Sequence, residues 1–446
     1  MPRAATLAGD DVHLRRALTL RDLIVYGLLF IGPLAPVGVF GVLDAATSGA
    51  VALVYVAATV AMAFTAWSYA EMSRVVPHAG SVFAYAREGL GEAAGFAAGW
   101  LAMLDYLLIP SVAFLFSGIA LHALMPGVPA WAFTIVSFAV ATALNLAGVD
   151  VAARTGFVVL IVEIAVLVLF VAAGCVVLSM SGPARPLPSP FTGIGDFHLS
   201  MVVGAVSIAV LSYLGFDAIA GFAEETTGDS REVGRAIVFC LAVAGALFVL
   251  QAWLAAVLSP LSPATLAAEP DRQGTAFYDI VRLSIGSWLA TVLSITKAIG
   301  PTFAAMAGQA AAARLLYGMA RDGHLPQALA EVDARRGVPR TALLSAAVLT
   351  LIVSVWAARR SDGLGLLVSI VDIGALAAFT LLHASVIGYF AASRRAPATA
   401  LHVIVPLTGS LVTIWVLVEA SRVAQIVGAA WLVAGLIVYA TRSGRG

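Results

Sequence analysis

The chain has 446 residues, of which 61% are hydrophobic and 11% charged, with zero formal net charge and a mean hydropathy of +0.99. A soluble domain carries about 25% charged residues, so this composition excludes a water-soluble core and implies a polytopic protein of the lipid bilayer. The 25 Lys and Arg balance the 25 Asp and Glu, which leaves no basic face for nucleic acid, and Cys175 and Cys240 lie in apolar runs that offer no disulfide framework.

The first apolar run starts at Leu23 and is too long for the h-region of a signal peptide. In chain order, apolar segments of spanning length cover about Leu23–Ala46, Ala50–Tyr69, Ala94–Leu124, Ala130–Gly148, Thr155–Met180 and Leu199–Phe222. The second half adds about Val233–Leu258, Thr275–Ala312, Thr341–Ala357, Leu364–Ala391, His402–Ala420 and Ala424–Thr441. Twelve spans place both chain ends on one side. Eighteen arginines fall on that side, from Arg3, Arg15 and Arg16 through Arg231, Arg314 and Arg321 to Arg394, Arg395 and Arg445, against six opposite. The positive-inside rule then puts both termini in the cytoplasm and the chain in the cytoplasmic membrane.

Two spans carry helix breakers. The first contains Gly32-Pro33-Leu34-Ala35-Pro36-Val37-Gly38, and two prolines three residues apart interrupt a helix. The sixth contains Tyr213-Leu214-Gly215-Phe216-Asp217, a glycine beside a carboxylate at membrane depth. Non-helical backbone at that depth lines a cavity or is buried in protein. Breaks five helices apart predict two inverted repeats with a substrate site between them, unwound over Gly32–Gly38 and around Tyr213–Asp217.

Three stretches resemble the amino acid–polyamine–organocation permeases. Pro77-His78-Ala79-Gly80-Ser81-Val82-Phe83-Ala84-Tyr85 is similar to their loop after the second helix. Leu214-Gly215-Phe216-Asp217-Ala218 followed by Glu224-Glu225-Thr226 is similar to their sixth-helix signature, and Arg314–Gly323 resembles the loop after their eighth helix. With Leu104-Asp105-Tyr106-Leu107 and Pro110, the pattern most resembles the bacterial putrescine-importer branch. The resemblance implies an all-α fold of twelve transmembrane helices. Residues 1–22 form an N-terminal tail, 23–391 a ten-helix core of five-plus-five inverted repeats, 402–441 two peripheral helices and 442–446 a C-terminal tail. It also implies secondary transport of amino acids or polyamines, by proton coupling or exchange.

Charges inside a bilayer cost about 2.5–3.5 kcal/mol each on insertion scales, so each one needs a reason. Lys297 is the one lysine in the chain and falls in the eighth span; Glu163 lies in the fifth. In the resembled fold these helices pass beside the first break, which makes Glu163 and Lys297 candidates for proton coupling. At ~1.5 Å per residue Glu163 is roughly 13 Å from Arg154 and Lys297 about 25 Å from Arg314, so the two meet only if the eighth helix runs on past the membrane. Asp105, Tyr106 and Asp217 combine carboxylate and aromatic character suited to an ammonium group. Asp217 equally suits capping of a broken helix, and Asp105 a helix–helix hydrogen bond. Tyr213 and Phe216 are candidate wall or gate aromatics. Asp372 and His383 read as structural, and Asp44 and Glu419 as span-end groups. Glu224, Glu225 and Arg231 are either a solvated cluster or an inner gate.

The seven histidines are scattered and form no grouping with metal-ligand or nucleophile spacing, so neither an enzyme, a metal nor a cofactor is expected. Pro33 and Pro36 lack N–H groups, which weakens any cradle for a carboxylate at the first break. The expected cargo is therefore a polyamine or small cationic amine, with an amino acid as the alternative and protons as the coupling ion.

Overall fold

The computed structural model describes residues 16–78, 81–125, 127–333, 337–360, 363–393, 395–420 and 422–443. Arg3, Arg15, Arg335, Arg336, Arg394, Arg445 and the Ala79-Gly80 pair lie outside the described residues, as do most of both tails.

The first span is two helices, α1 (Leu20–Ile31) and α2 (Pro36–Ala46), bent by 49° across four residues. Thr19 and Asp22 form a capping box that starts α1. Gly32 ends it at φ 76°, a left-handed value that favours glycine. The expected unwinding over Gly32–Gly38 is shorter than predicted, covering 32–35. Pro36 sits in the first turn of α2, where its fixed φ suits helix entry and its missing N–H leaves nothing unsatisfied.

Next come α3 (Val51–Val75), the short α4 (Val82–Leu90), α5 (Glu92–Leu124), α6 (Ala130–Ala147) and α7 (Val149–Ser181). A surface turn, α8 (Ser189–Thr192), leads to α9 (Leu199–Val210). The sixth span then leaves α-geometry, passing through a 3-10 turn at Leu211–Tyr213, Gly215 at φ 115°, and a 3-10 helix at Asp217–Glu225. A Cβ on Gly215 would stand 2.7 Å from Cγ of Phe30, so the two breaks lie against each other.

α10 (Arg231–Leu258) is followed by α11 (Pro263–Ala268), α12 (Ala276–Ser284) and α13 (Ser287–Arg321). The segment expected as one span from Thr275 to Ala312 is thus two helices. Gly286, at φ 144°, separates an amphipathic α12 from the spanning α13. Phe277 of α12 packs 5.7 Å from Phe40 and 5.2 Å from Phe170, which ties α12 to α2 and α7. The chain closes with α14 (Arg340–Ala358), α15 (Gly363–Val386), α16 (Leu401–Glu419) and α17 (Arg422–Ser443). Among the described residues eleven helices are long and apolar enough to span a membrane, or twelve with the bent pair as one.

α5 is the central post, packed against α13, α15, α4 and α6, while α3 packs along α10. α16 lies on α15 and α3, and α17 on α15 and α5, where Trp100 and Trp431 exchange indole-to-carbonyl hydrogen bonds at 2.7 and 2.6 Å. Side chains such as Val158, Ile352, Leu411 and Ile426 are exposed, as expected of helices that face lipid.

Candidate substrate cavity and its closure

A cavity of about 110 Å³ lies where the breaks meet. Gly32, Leu34 and Ala35 come from the first break, and Leu211, Ser212 and Leu214 from the second. Ile109, Val112, Ala113 and Phe116 follow one face of α5 at helical spacing. Glu163 enters from α7, and Lys297, Gly300 and Pro301 from α13. Its charged groups are therefore one carboxylate and one ammonium in an apolar shell.

Because α13 continues to Arg321, seven residues beyond Arg314, Lys297 is brought to the level of Glu163 and both line the cavity. Their charges act on each other, although they do not form a close ion pair. A Cβ on Gly300 would stand 2.0 Å from Oε1 of Glu163, so the carboxylate rests on bare α13 backbone, and its Oε2 is buried with no hydrogen-bond partner.

Few amides of the first break are free. Ala35 donates to Gly32, Val37 to Leu34 and Gly38 to Ala35, at 2.8, 3.1 and 3.3 Å. Pro33 and Pro36 have no N–H to give. Gln251 of α10, fully buried, donates to the Pro33 carbonyl at 2.9 Å and so fixes the break from outside the cavity. Sequence inspection passed over Gln251; a lone amide in a spanning helix was its signal.

The remaining candidates lie around the cavity, not in its lining. Asp217 accepts from the Tyr106 hydroxyl at 2.6 Å and the Gly215 amide at 3.2 Å, the capping arrangement that its place at a break allows. Asp105 is 1% exposed and its Oδ1 has no hydrogen-bond partner. Tyr213 turns toward α3, where it donates to the Tyr55 carbonyl at 3.1 Å and lies 2.7 Å from the Thr59 hydroxyl. Phe216 packs 6.3 Å from Tyr69 and 6.1 Å from Phe379. His383 is enclosed between α15 and α3, with Ser68 at 2.9 Å and Thr65 at 3.3 Å, a packing position.

At the arginine-rich end, ion pairs tie the helices together. Arg321 grips Glu224 with two hydrogen bonds of 2.8 Å, Arg314 holds Glu225, and Arg87 holds Asp322. Arg314 and Glu225 are almost fully buried, and the backbone of Ala17 and Leu18 donates to the Glu225 carbonyl at 2.9 Å. Arg231, expected in this set, is not part of it. It is exposed and sits 4.0 Å from Asp229, because it opens α10 and points to solvent while α13 carries the arginines that reach Glu224 and Glu225. At the other end Asp44 is fully buried, not a solvated span-end group. Arg185, from the loop after α7, binds both its oxygens at 2.8 Å and also reaches Ser259 and the Leu261 carbonyl.

Two interrupted helices meeting at one cavity, with ion pairs joining the helices at the arginine-rich end, is a layout suited to a carrier, and the comparisons name the kind. The amino acid permease family profile matches residues 23–440. The chain belongs to the amino acid permease family. It is a multi-pass membrane transporter of the amino acid–polyamine–organocation superfamily and not an enzyme. It is 30% identical to a low-affinity putrescine importer of Escherichia coli, over 96% of this chain and 94% of that protein. A branched-chain amino acid permease of Bacillus subtilis is 28% identical over 86% of this chain and 82% of its own. A methylthioribose transporter of the same organism is 28% identical over 96% and 93%.

Proposed function

We propose that this permease moves a polyamine or small cationic amine across the cytoplasmic membrane by alternating access, with both termini in the cytoplasm and protons as the coupling ion. The observation that carries the substrate reading is the scarcity of free amides at the first break. A zwitterionic amino acid needs an anion cradle for its carboxylate, and helix-break N–H groups are the usual source. Here two prolines remove donors and three amides are spent internally. The putrescine importer, at 30% identity, points the same way.

Coupling is assigned to Glu163 and Lys297. A lysine can give up its proton when buried, as an arginine cannot, and a carboxylate across the same small cavity is a fitting acceptor. Cargo arriving in the cavity changes the water and charge that both groups meet. The closed ion-pair end, built from Glu224, Glu225, Arg314 and Arg321, serves as the inner gate, and residues 23–391 as the transport core carrying two peripheral helices.

The alternative is a neutral amino acid with protons. The apolar shell of Ile109, Val112, Phe116 and Leu214 suits an aliphatic side chain, and two branched-chain amino acid permeases are among the relatives. Counterflow in proteoliposomes decides between them. Vesicles preloaded with unlabelled diamine should accumulate labelled diamine, and leucine in the same format should give no signal. Accumulation of leucine without diamine would reverse the assignment.

A further inference from the structure

We propose that Asp105, Asp217 and Asp372 form a second cation site, one helical turn from the cavity toward the arginine-rich face, that takes the far ammonium group of a substrate diamine. It rests on the amine reading above and names where a second charge is held.

The three carboxylates arrive on separate elements: α5, the 3-10 helix after the second break, and α15. Gly374, two residues beyond Asp372 on α15, sets how closely that helix approaches α5. A Cβ there would stand 2.6 Å from Cβ of Leu104 and 3.1 Å from the Asp105 amide, so glycine lets α15 lie directly on α5 beside Asp105. Asp105 and Asp217 are each 1% exposed, and the charges of Asp217 and Asp372 both act on Asp105. Three anions cannot remain ionised together in a medium of low dielectric without cations. The ion pairs among the described residues include none of the three, and the nearby buried arginine, Arg314, is committed to Glu225.

The cluster is also incompletely bonded. Asp217 has donors for both oxygens. Oδ1 of Asp105, Oδ1 of Asp372 and the Tyr85 hydroxyl are enclosed with no hydrogen-bond partner. Burying an acceptor without a donor is unfavourable, and an arriving ammonium supplies donors and charge together. Tyr69, fully buried, lies 5.9 Å from Tyr85 and from Phe379, which gives the cluster an aromatic wall able to face a cation.

Spacing selects the cargo. Ile109 on the cavity wall is four residues from Asp105, about 6 Å along the helix. A diamine with four methylene carbons spans roughly 6 Å between its nitrogens at standard bond lengths. One nitrogen in the cavity therefore leaves the other at the carboxylates, whereas a monoamine fills the cavity alone.

The test is equilibrium binding of 1,4-diaminobutane, butylamine and leucine to the purified full-length protein in nanodiscs. Wild type should bind the diamine at least about tenfold more tightly than butylamine, the worth of one charge-assisted contact. Asp105→Asn and Asp372→Asn should each bring that ratio close to one. An unchanged ratio in both variants means that the cluster holds only protons, and overturns the site while sparing the amine reading. A wild-type ratio near one overturns it without any variant, so a variant that fails to fold leaves the question answerable. Wild type that binds leucine and neither amine removes the substrate reading and the site with it.

Discussion

Lys297 and Glu163 are the residues whose chemistry is easiest to separate from their packing. Lys297→Met is expected to abolish uphill uptake driven by a proton gradient while exchange of labelled for unlabelled substrate continues. The measurement is accumulation in proteoliposomes with and without an imposed pH gradient, and concentration of substrate by the variant would move the coupling site elsewhere. The pair also makes a stability prediction. Removing one partner leaves the other charge buried and alone, which costs about 3–5 kcal/mol for a close pair and less where, as here, the groups do not touch. The double variant Lys297→Met, Glu163→Gln should therefore melt above either single one. Both residues were legible in the sequence, because an ionisable group inside an apolar run is conspicuous. Their meeting in one cavity was not, since it depends on α13 running on to Arg321 and on how α13 packs against α7, neither of which hydropathy states.

At the scale of the element, the interrupted helices are held by groups outside them. Gln251 of α10 donates to the Pro33 carbonyl, which the break has released from helical bonding. Gln251→Leu keeps the volume close and removes the donor, and is expected to cost about 1–3 kcal/mol through the unsatisfied carbonyl. A lowered melting temperature with weakened substrate binding is the expected readout; unchanged values for both would mean that the break holds its shape alone. α2 is anchored at its far end by the buried Asp44–Arg185 pair. Asp44→Asn should cost about 3 kcal/mol by leaving Arg185 unneutralised, and Arg185→Met in the same chain should recover part of the loss, both read as melting temperature. Hydropathy gave no warning of this pair. Asp44 looks like an ordinary span-end residue, and its partner lies 141 positions away.

Across the whole molecule, ion pairs join helices distant in sequence at the arginine-rich end, the end proposed above as the inner gate. Arg321–Glu224 and Arg87–Asp322 are partly exposed, so each contributes little to stability, about 0–1 kcal/mol, while still biasing which end is closed. Arg321→Gln is expected to leave the fold intact and to speed labelling of a cysteine placed at Ser212, on the cavity wall, by a reagent offered from the arginine-rich side. The exposed Cys175 would first be replaced by serine. Slower or unchanged labelling would show that the arginine does not hold the gate.

The class of this protein, its spans and the two points where helices fail are all properties of local composition. Apolar runs must cross the bilayer because their backbone has no other partner, and the paired Pro33 and Pro36 and the left-handed Gly215 mark the two breaks, whereas the single Pro110, Pro301 and Pro406 are carried inside helices. Three-dimensional contacts settled the rest. They set Glu163 and Lys297 in one cavity, aimed Tyr213 away from it, and gave Glu224 and Glu225 to Arg321 and Arg314 instead of Arg231. Local sequence states how polar a residue is and how deep it lies. Which helix faces it depends on how a dozen helices pack, and small residues such as Gly300 and Gly374 permit those approaches without changing the hydropathy that marks a span.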